Sequence, residues 1–233
     1  MLLSLFLIDA AAGLYLFLPL VGRRNAGVKF YRLILITSGV LALCSTIAVP
    51  RNLVVVVLTI LVYVVLRYPK RLIYRLSASL LAIAYLVATV LTYHAAIRPP
   101  NLAWSIAGAL ASVALLGSVN LAMLLGHWYL VVRGMSIDPL KRLTHATLIT
   151  TITKLLLVAI AVFSVPAVLR DIFFWMRAGW GLIIPLLLYP MVWGTVRIRS
   201  TMAATGILYV EVVAVVIGEV LGGWLGKLMH MPL

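Results

Sequence analysis

The sequence predicts an all-α membrane protein, a single bundle of about eight transmembrane helices, and three observations carry that prediction. First, 65% of the 233 residues are hydrophobic and only 10% are charged, against roughly 45–50% and 25% in a soluble domain. The 24 charged side chains cannot clothe a chain of 25.5 kDa in water. Second, the apolar residues come in runs near the length of about 20 that a helix needs to cross a hydrocarbon core of about 30 Å. Third, basic residues fall alternately rich and poor in the breaks between runs, the pattern of loops sorted by the positive-inside rule. The runs are apolar all round, which excludes the alternating pattern of a transmembrane strand.

The first run, 2–20, lacks a basic leading segment and carries Asp9 in its middle, so it reads as a retained helix and not as a cleaved signal. The second, 31–49, holds Cys44, the one cysteine, which excludes a disulfide within the chain. The third, 52–67, is short, the fourth spans 76–97, and the fifth, 103–131, is long. The sixth covers 145–165 and contains Lys154 on one face with Thr147, Thr150 and Thr151. The seventh, 178–195, contains Pro185 and Pro190, each of which removes a backbone donor and crowds the carbonyl four residues earlier, so a kink or unwinding is expected. The eighth, 201–226, carries Gly218, Gly222 and Gly226 at intervals of four, a face suited to close approach by another helix or by a second protomer.

Sorted by loop, Arg23, Arg24, Lys29, Arg32, Arg67, Lys70, Arg71, Arg75, Arg133, Lys141, Arg142, Arg197 and Arg199 share one side. Arg51, Arg98, Arg170, Arg177 and Lys227 share the other. Thirteen against five puts both termini on the non-cytoplasmic side. The net charge of +14 is then a topology record facing anionic lipid headgroups, and nucleic acid is excluded as its target. Trp104, Trp128, Tyr129, Trp175, Trp193 and Trp224 fall near span ends, as an interfacial belt would. No linker or soluble insertion divides the chain, so residues 1–233 form one transmembrane domain. Its compact loops suit a prokaryotic plasma membrane.

Ionisable groups inside a bilayer are costly and therefore candidates for function. Asp9, Lys154, Glu211 and Glu219 are the four. Counted from His145 and Thr201 at about 1.5 Å per residue, Lys154 and Glu211 reach the same depth and are expected to pair, with Asp9 and Glu219 at a shallower level from the opposite surface. Together they suggest a proton or ion path, or else a static ion pair that holds helix register. A second constellation lies near the basic side. His127 and His145 close the fifth span and open the sixth, with Asn120 one heptad before His127 and Trp128 and Tyr129 directly after it. Two imidazoles there suit a b-type haem, for which they would be the metal ligands, or a quinone carbonyl.

The chain contains no Walker or dinucleotide glycine pattern, no Gly-x-Ser-x-Gly, no His-Glu-x-x-His and no aspartate-rich diphosphate motif. A membrane subunit is accordingly favoured over a stand-alone enzyme. The first expectation is a subunit of a respiratory or other electron-transfer complex that binds quinone or haem b at His127, His145, Asn120 and Tyr129. The second is a small proton-coupled transporter or channel using Lys154, Glu211, Asp9 and Glu219. The third is a scaffold or assembly subunit. Each implies other membrane subunits or a homo-oligomer, the latter through the Gly218/Gly222/Gly226 face.

Overall fold

The computed structural model describes residues 1–66, 71–132 and 134–233, the side chains of Arg24 and Arg71 excepted. Every regular element among them is helical. In order they are α1 (Leu2–Val21), α2 (Arg23–Ser45), α3 (Leu53–Val65), α4 (Arg71–Ile97), α5 (Leu102–Val131), α6 (Asp138–Ser164), α7 (Ile172–Ala178), α8 (Ile184–Arg197) and α9 (Thr201–Met229). Seven segments are long and apolar enough to cross a membrane, with α7 and α8 joined as Ile172–Arg197. The chain is an integral membrane protein on that ground. At the expected third span lies a shorter apolar helix, Pro50–Val65, about 24 Å long at 1.5 Å per residue. It opens with a 3₁₀ turn at Pro50–Asn52, and Asn52 donates to the Ser45 hydroxyl at 3.0 Å, closing the corner with α2. Arg67 and Lys70, which follow it, and Arg133 lie outside the described residues.

Small residues decide how the helices stack, because in lipid the approach of backbones supplies the attraction that water supplies elsewhere. Gly13 of α1 and Gly117 of α5 meet so closely that a Cβ on Gly13 would stand 2.6 Å from the Gly117 nitrogen. These two helices form the centre with α9. One flank is built by α2, α3 and α4, the other by α6, α7 and α8. Side chains that point away from the bundle, among them Ile36, Ile47, Leu76, Phe163 and Met202, are exposed and apolar, as a lipid-facing surface requires. Cys44 lies on that outer surface too.

The chain's two ends meet. Leu2 at the start of α1 reaches to 4.0 Å from where a Cβ on Gly223 would stand, and His230 donates its Nδ1–H to the Ile97 carbonyl at 2.9 Å, tying the ends of α9 and α4 together. His230 takes the left-handed conformation at φ 55°, which turns the last residues back along α9. The Met231 and Leu233 carbonyls come to rest over Gly226 and Gly222, while Gly218 packs on Gly181. Of the two expected occupants of the Gly218, Gly222 and Gly226 face, another helix or a second protomer, it is elements of this chain that lie against it. The chain covers that face itself.

The seventh span departs from the sequence reading in a second way. It begins at Ile172, and the stretch read as a loop up to Arg177 is helix, capped by Asp171, whose carboxylate accepts from the Phe173 amide at 2.9 Å. The break predicted from Pro185 appears one turn earlier as a π turn over Gly179–Ile183, where the Ile184 amide bonds to the Gly179 carbonyl. Widening the turn there moves the Gly181 carbonyl away from the ring of Pro185, the clash a proline makes four residues back.

Candidate functional site: a buried charge cluster on a cavity

Four charged side chains from four helices converge in the half of the bundle nearest the termini. Lys154 of α6 donates to Glu219 of α9 at 3.4 Å and to the Ser112 hydroxyl of α5 at 2.7 Å. Arg177 of α7 donates to the other oxygen of Glu219 at 3.1 Å. Asp9 of α1 completes the group. All are withdrawn from solvent, with relative exposures of 1% for Lys154, 0% for Arg177, 2% for Asp9 and 9% for Glu219. The formal charges balance, two acids against two bases, yet the bonds do not. Glu219 takes both cations, whereas Asp9 Oδ1 and two nitrogens of Arg177, Nε and Nη1, have no partner among the described residues.

The expected pairing of Lys154 with Glu211 is replaced by one with Glu219, and the reason is where α6 begins. The helix starts at Asp138 with Pro139 in its first turn, two turns before His145. Lys154 is thus roughly 24 Å from that end, and Glu219, roughly 27 Å along α9, is at its level, whereas Glu211 is only roughly 15 Å along. Glu211 is buried elsewhere, against Thr147, with its Oε2 unpartnered. Asp9 and Glu219 line one cavity. The threonines of α6 bond to their own helix, Thr147 to the Thr144 carbonyl and Thr151 to the Thr147 carbonyl, while Thr150 also meets Ser118 of α5 at 2.8 Å.

The sequence places Arg177 in a loop, and the structure buries it in the bundle. Its burial rests on Gly181 and Gly222, whose missing side chains leave room for the guanidinium: a Cβ on Gly222 would lie 3.0 Å from Arg177 Nε. The usable signal was the composition around it, since Ile172–Trp175 and the residues after Arg177 continue one apolar run.

The cluster borders a cavity of about 340 Å³. Asp9, Ser112, Lys154, Glu219 and Tyr93 supply its polar wall, and Leu5, Phe6, Leu116 and Trp224 stand among the apolar lining. Tyr93 fits against Gly108, where any side chain would collide with its ring. Such a chamber presents the Asp9 carboxylate and the Lys154–Glu219 pair to a small polar or cationic solute, or to a proton.

The histidine constellation is arranged differently. His127 Nδ1 is hydrogen-bonded to Tyr209 at 3.3 Å, and His145 Nδ1 to Tyr189 at 3.1 Å, with the Trp193 ring 4.3 Å from the His145 ring centre. The two imidazoles thus address different helices, α9 and α8, and both lie on the exposed surface. Asn120 bonds to the Leu116 carbonyl of its own helix at 2.8 Å, and the Tyr129 hydroxyl donates to the Ser136 carbonyl. Trp128 packs on Phe30 at 5.6 Å between ring centres. No three His, Cys, Asp or Glu side chains converge on a metal-sized space among the described residues. Comparison of the chain with protein-family models, with curated proteins and with solved structures finds no match.

Proposed function

We propose that the protein is a small proton-coupled membrane transporter whose coupling site is the Asp9, Lys154, Arg177 and Glu219 cluster. One observation carries this reading: a buried carboxylate with no bonded partner among the described residues, Asp9, stands on the same cavity as the buried Lys154–Glu219 ion pair. A structural ion pair explains the bonds of Lys154, Glu219 and Arg177, whereas Asp9 balances their charge without a bond to either cation. A carboxylate that pays desolvation without a partner is the expected form of a group that binds and releases a proton or cation. The π turn beside Arg177 supports the same reading, since such turns are frequent at functional sites.

The test uses proteoliposomes loaded with a pH-sensitive dye and challenged with small-solute mixtures. The wild type should acidify the lumen when a solute gradient is imposed, and Asp9→Asn should abolish this while leaving the unfolding temperature unchanged or higher. Transport that persists in Asp9→Asn overturns the proposal. The electron-transfer reading at His127 and His145 has less support, because both imidazoles are engaged with tyrosines of separate helices. A Soret band in the dithionite-reduced protein, or extracted quinone, lost in His127→Ala and His145→Ala, would establish it instead. In orientation, the basic-rich end is placed in the cytoplasm and both termini outside, from the thirteen-to-five division of basic residues.

A further inference from the structure

At the opposite end of the bundle from the charge cluster, a cavity of about 540 Å³ opens between α1, α2 and α4. We infer that it is a binding site for the headgroup of an anionic phospholipid. Its charged lining is Arg23 and Arg75, and its floor is aromatic and apolar, with Tyr15, Tyr31 and Tyr74 beside Leu16, Leu18, Pro19 and Ala82.

Charge is the first argument. The chain has five acids, and every one is accounted for away from this cavity. Asp9 and Glu219 belong to the buried cluster, Glu211 lies against Thr147, Asp138 accepts from the Ser136 hydroxyl, and Asp171 caps α7. Arg23 and Arg75 thus have no carboxylate, and an outside anion is the available counter-charge. Arg23 is held in place for one: its guanidinium lies 5.6 Å over the Tyr74 ring and donates to the Leu66 carbonyl at 3.5 Å, which leaves further donors of the fork free. Tyr15 and Tyr31 spend their hydroxyl protons on the carbonyls of Ala78 and Leu18, at 2.9 and 3.2 Å, so they are fixed as walls and the charge contact falls to the arginines.

Depth and surroundings choose a lipid over a free ion. Arg23 begins α2 and Arg75 lies in the first turns of α4, both at the membrane boundary, while Tyr15 sits roughly 9 Å deeper on α1. Next to the cavity, α4 turns Leu76, Leu80 and Ile83 outward, all more than half exposed. A phosphate held by the arginines would lay its acyl chains along that surface. A soluble phosphate would gain nothing from the apolar walls.

The experiment is titration of the delipidated, detergent-purified protein with phosphatidylglycerol, phosphatidylcholine or inorganic phosphate, read by thermal unfolding and by lipid retained in native mass spectrometry. Phosphatidylglycerol should be retained and raise the unfolding temperature, and phosphatidylcholine should do neither. Replacing both arginines, Arg23→Gln with Arg75→Gln, should weaken phosphatidylglycerol binding about 30-fold, the loss of two basic groups at a lipid surface. Should that variant fail to fold, Ala82→Phe fills the cavity and keeps both charges, and it should lose the selective retention alone. Equal retention of the two lipids, undiminished binding in either variant, or equal protection by inorganic phosphate would overturn the inference.

Discussion

Glu219 stands between two cations that have no other acid within bonding distance, and the energetics of the cluster follow from that asymmetry. Breaking a buried ion pair by removing one partner leaves an uncompensated charge and costs about 3–5 kcal/mol. Glu219→Gln strands two cations at once, so its unfolding free energy in detergent should fall by at least that much. Asp9→Asn removes a charge with no bonded partner and should be neutral or stabilising in the same measurement; a loss as large as that of Glu219→Gln would mean that Asp9 is held by bonds after all. At this scale the sequence was partly legible. Asp9, Lys154, Glu211 and Glu219 announced themselves as charges inside apolar runs. Arg177 did not, because a cation at the edge of an apolar run looks the same whether it ends the helix in water or enters the bundle. The partner of Lys154 depends on where α6 starts, and Asp138-Pro139 carries that signal: proline suits the first turn of a helix, where its missing donor is not needed.

Among the elements, α9 and the α7–α8 span are joined by the closest approach of backbones in the cluster's vicinity. A Cβ on Gly181 would lie 2.7 Å from the Gly218 Cα, a backbone atom that cannot swing aside, and 3.1 Å from Arg177 Nη1. Gly181→Ala should therefore cost about 1–3 kcal/mol, the range for overpacking, and should reduce transport with it, since Arg177 is carried by the same segment. Gly206, on α9, has open space where a Cβ would go. Gly206→Ala should be neutral or stabilise by up to about 1 kcal/mol, the helix preference of alanine over glycine. Thermal unfolding of the two variants side by side separates packing from propensity, and equal effects would discount the Gly181–Gly218 contact. Seven of the eight expected spans are long apolar helices, legible from hydropathy, and the third is a shorter one; span edges were not legible, because Ile172–Ala178 and the first turns of α6 contain charges that lipid tolerates only once a partner or an interface is known.

At the scale of the whole molecule, the ends of α1, α4 and α9 adjoin, so N- and C-terminal reporters should register on the same side of the membrane. Fusions to a fluorescent protein active in the cytoplasm and to a phosphatase active outside it give the check: both termini should score as external. Opposite results for the two ends would require that the short helix at Pro50–Val65 fails to cross. The basic-residue count leads to the same expectation, since thirteen residues against five alternate loop by loop around eight expected spans. What it could not anticipate was the interior, where the Gly218, Gly222 and Gly226 face is filled by the chain's own π turn and last residues, because a pattern of small side chains tells that something comes close and not what.

The π turn at Gly179–Ile183 carries a consequence for rotational phase. An α-helix advances about 100° per residue, and a π turn accommodates about one residue more than an α turn over the same stretch. Everything on α7 is consequently set about 100° around the axis from where an unbroken helix leading into α8 would put it, and Arg177 is two residues from the turn that does so. Its aim at Glu219 depends on chain length in this stretch as much as on its own charge. Adding or removing one residue between Gly179 and Ile183 would thus be an electrostatic change, made without touching a single charged side chain.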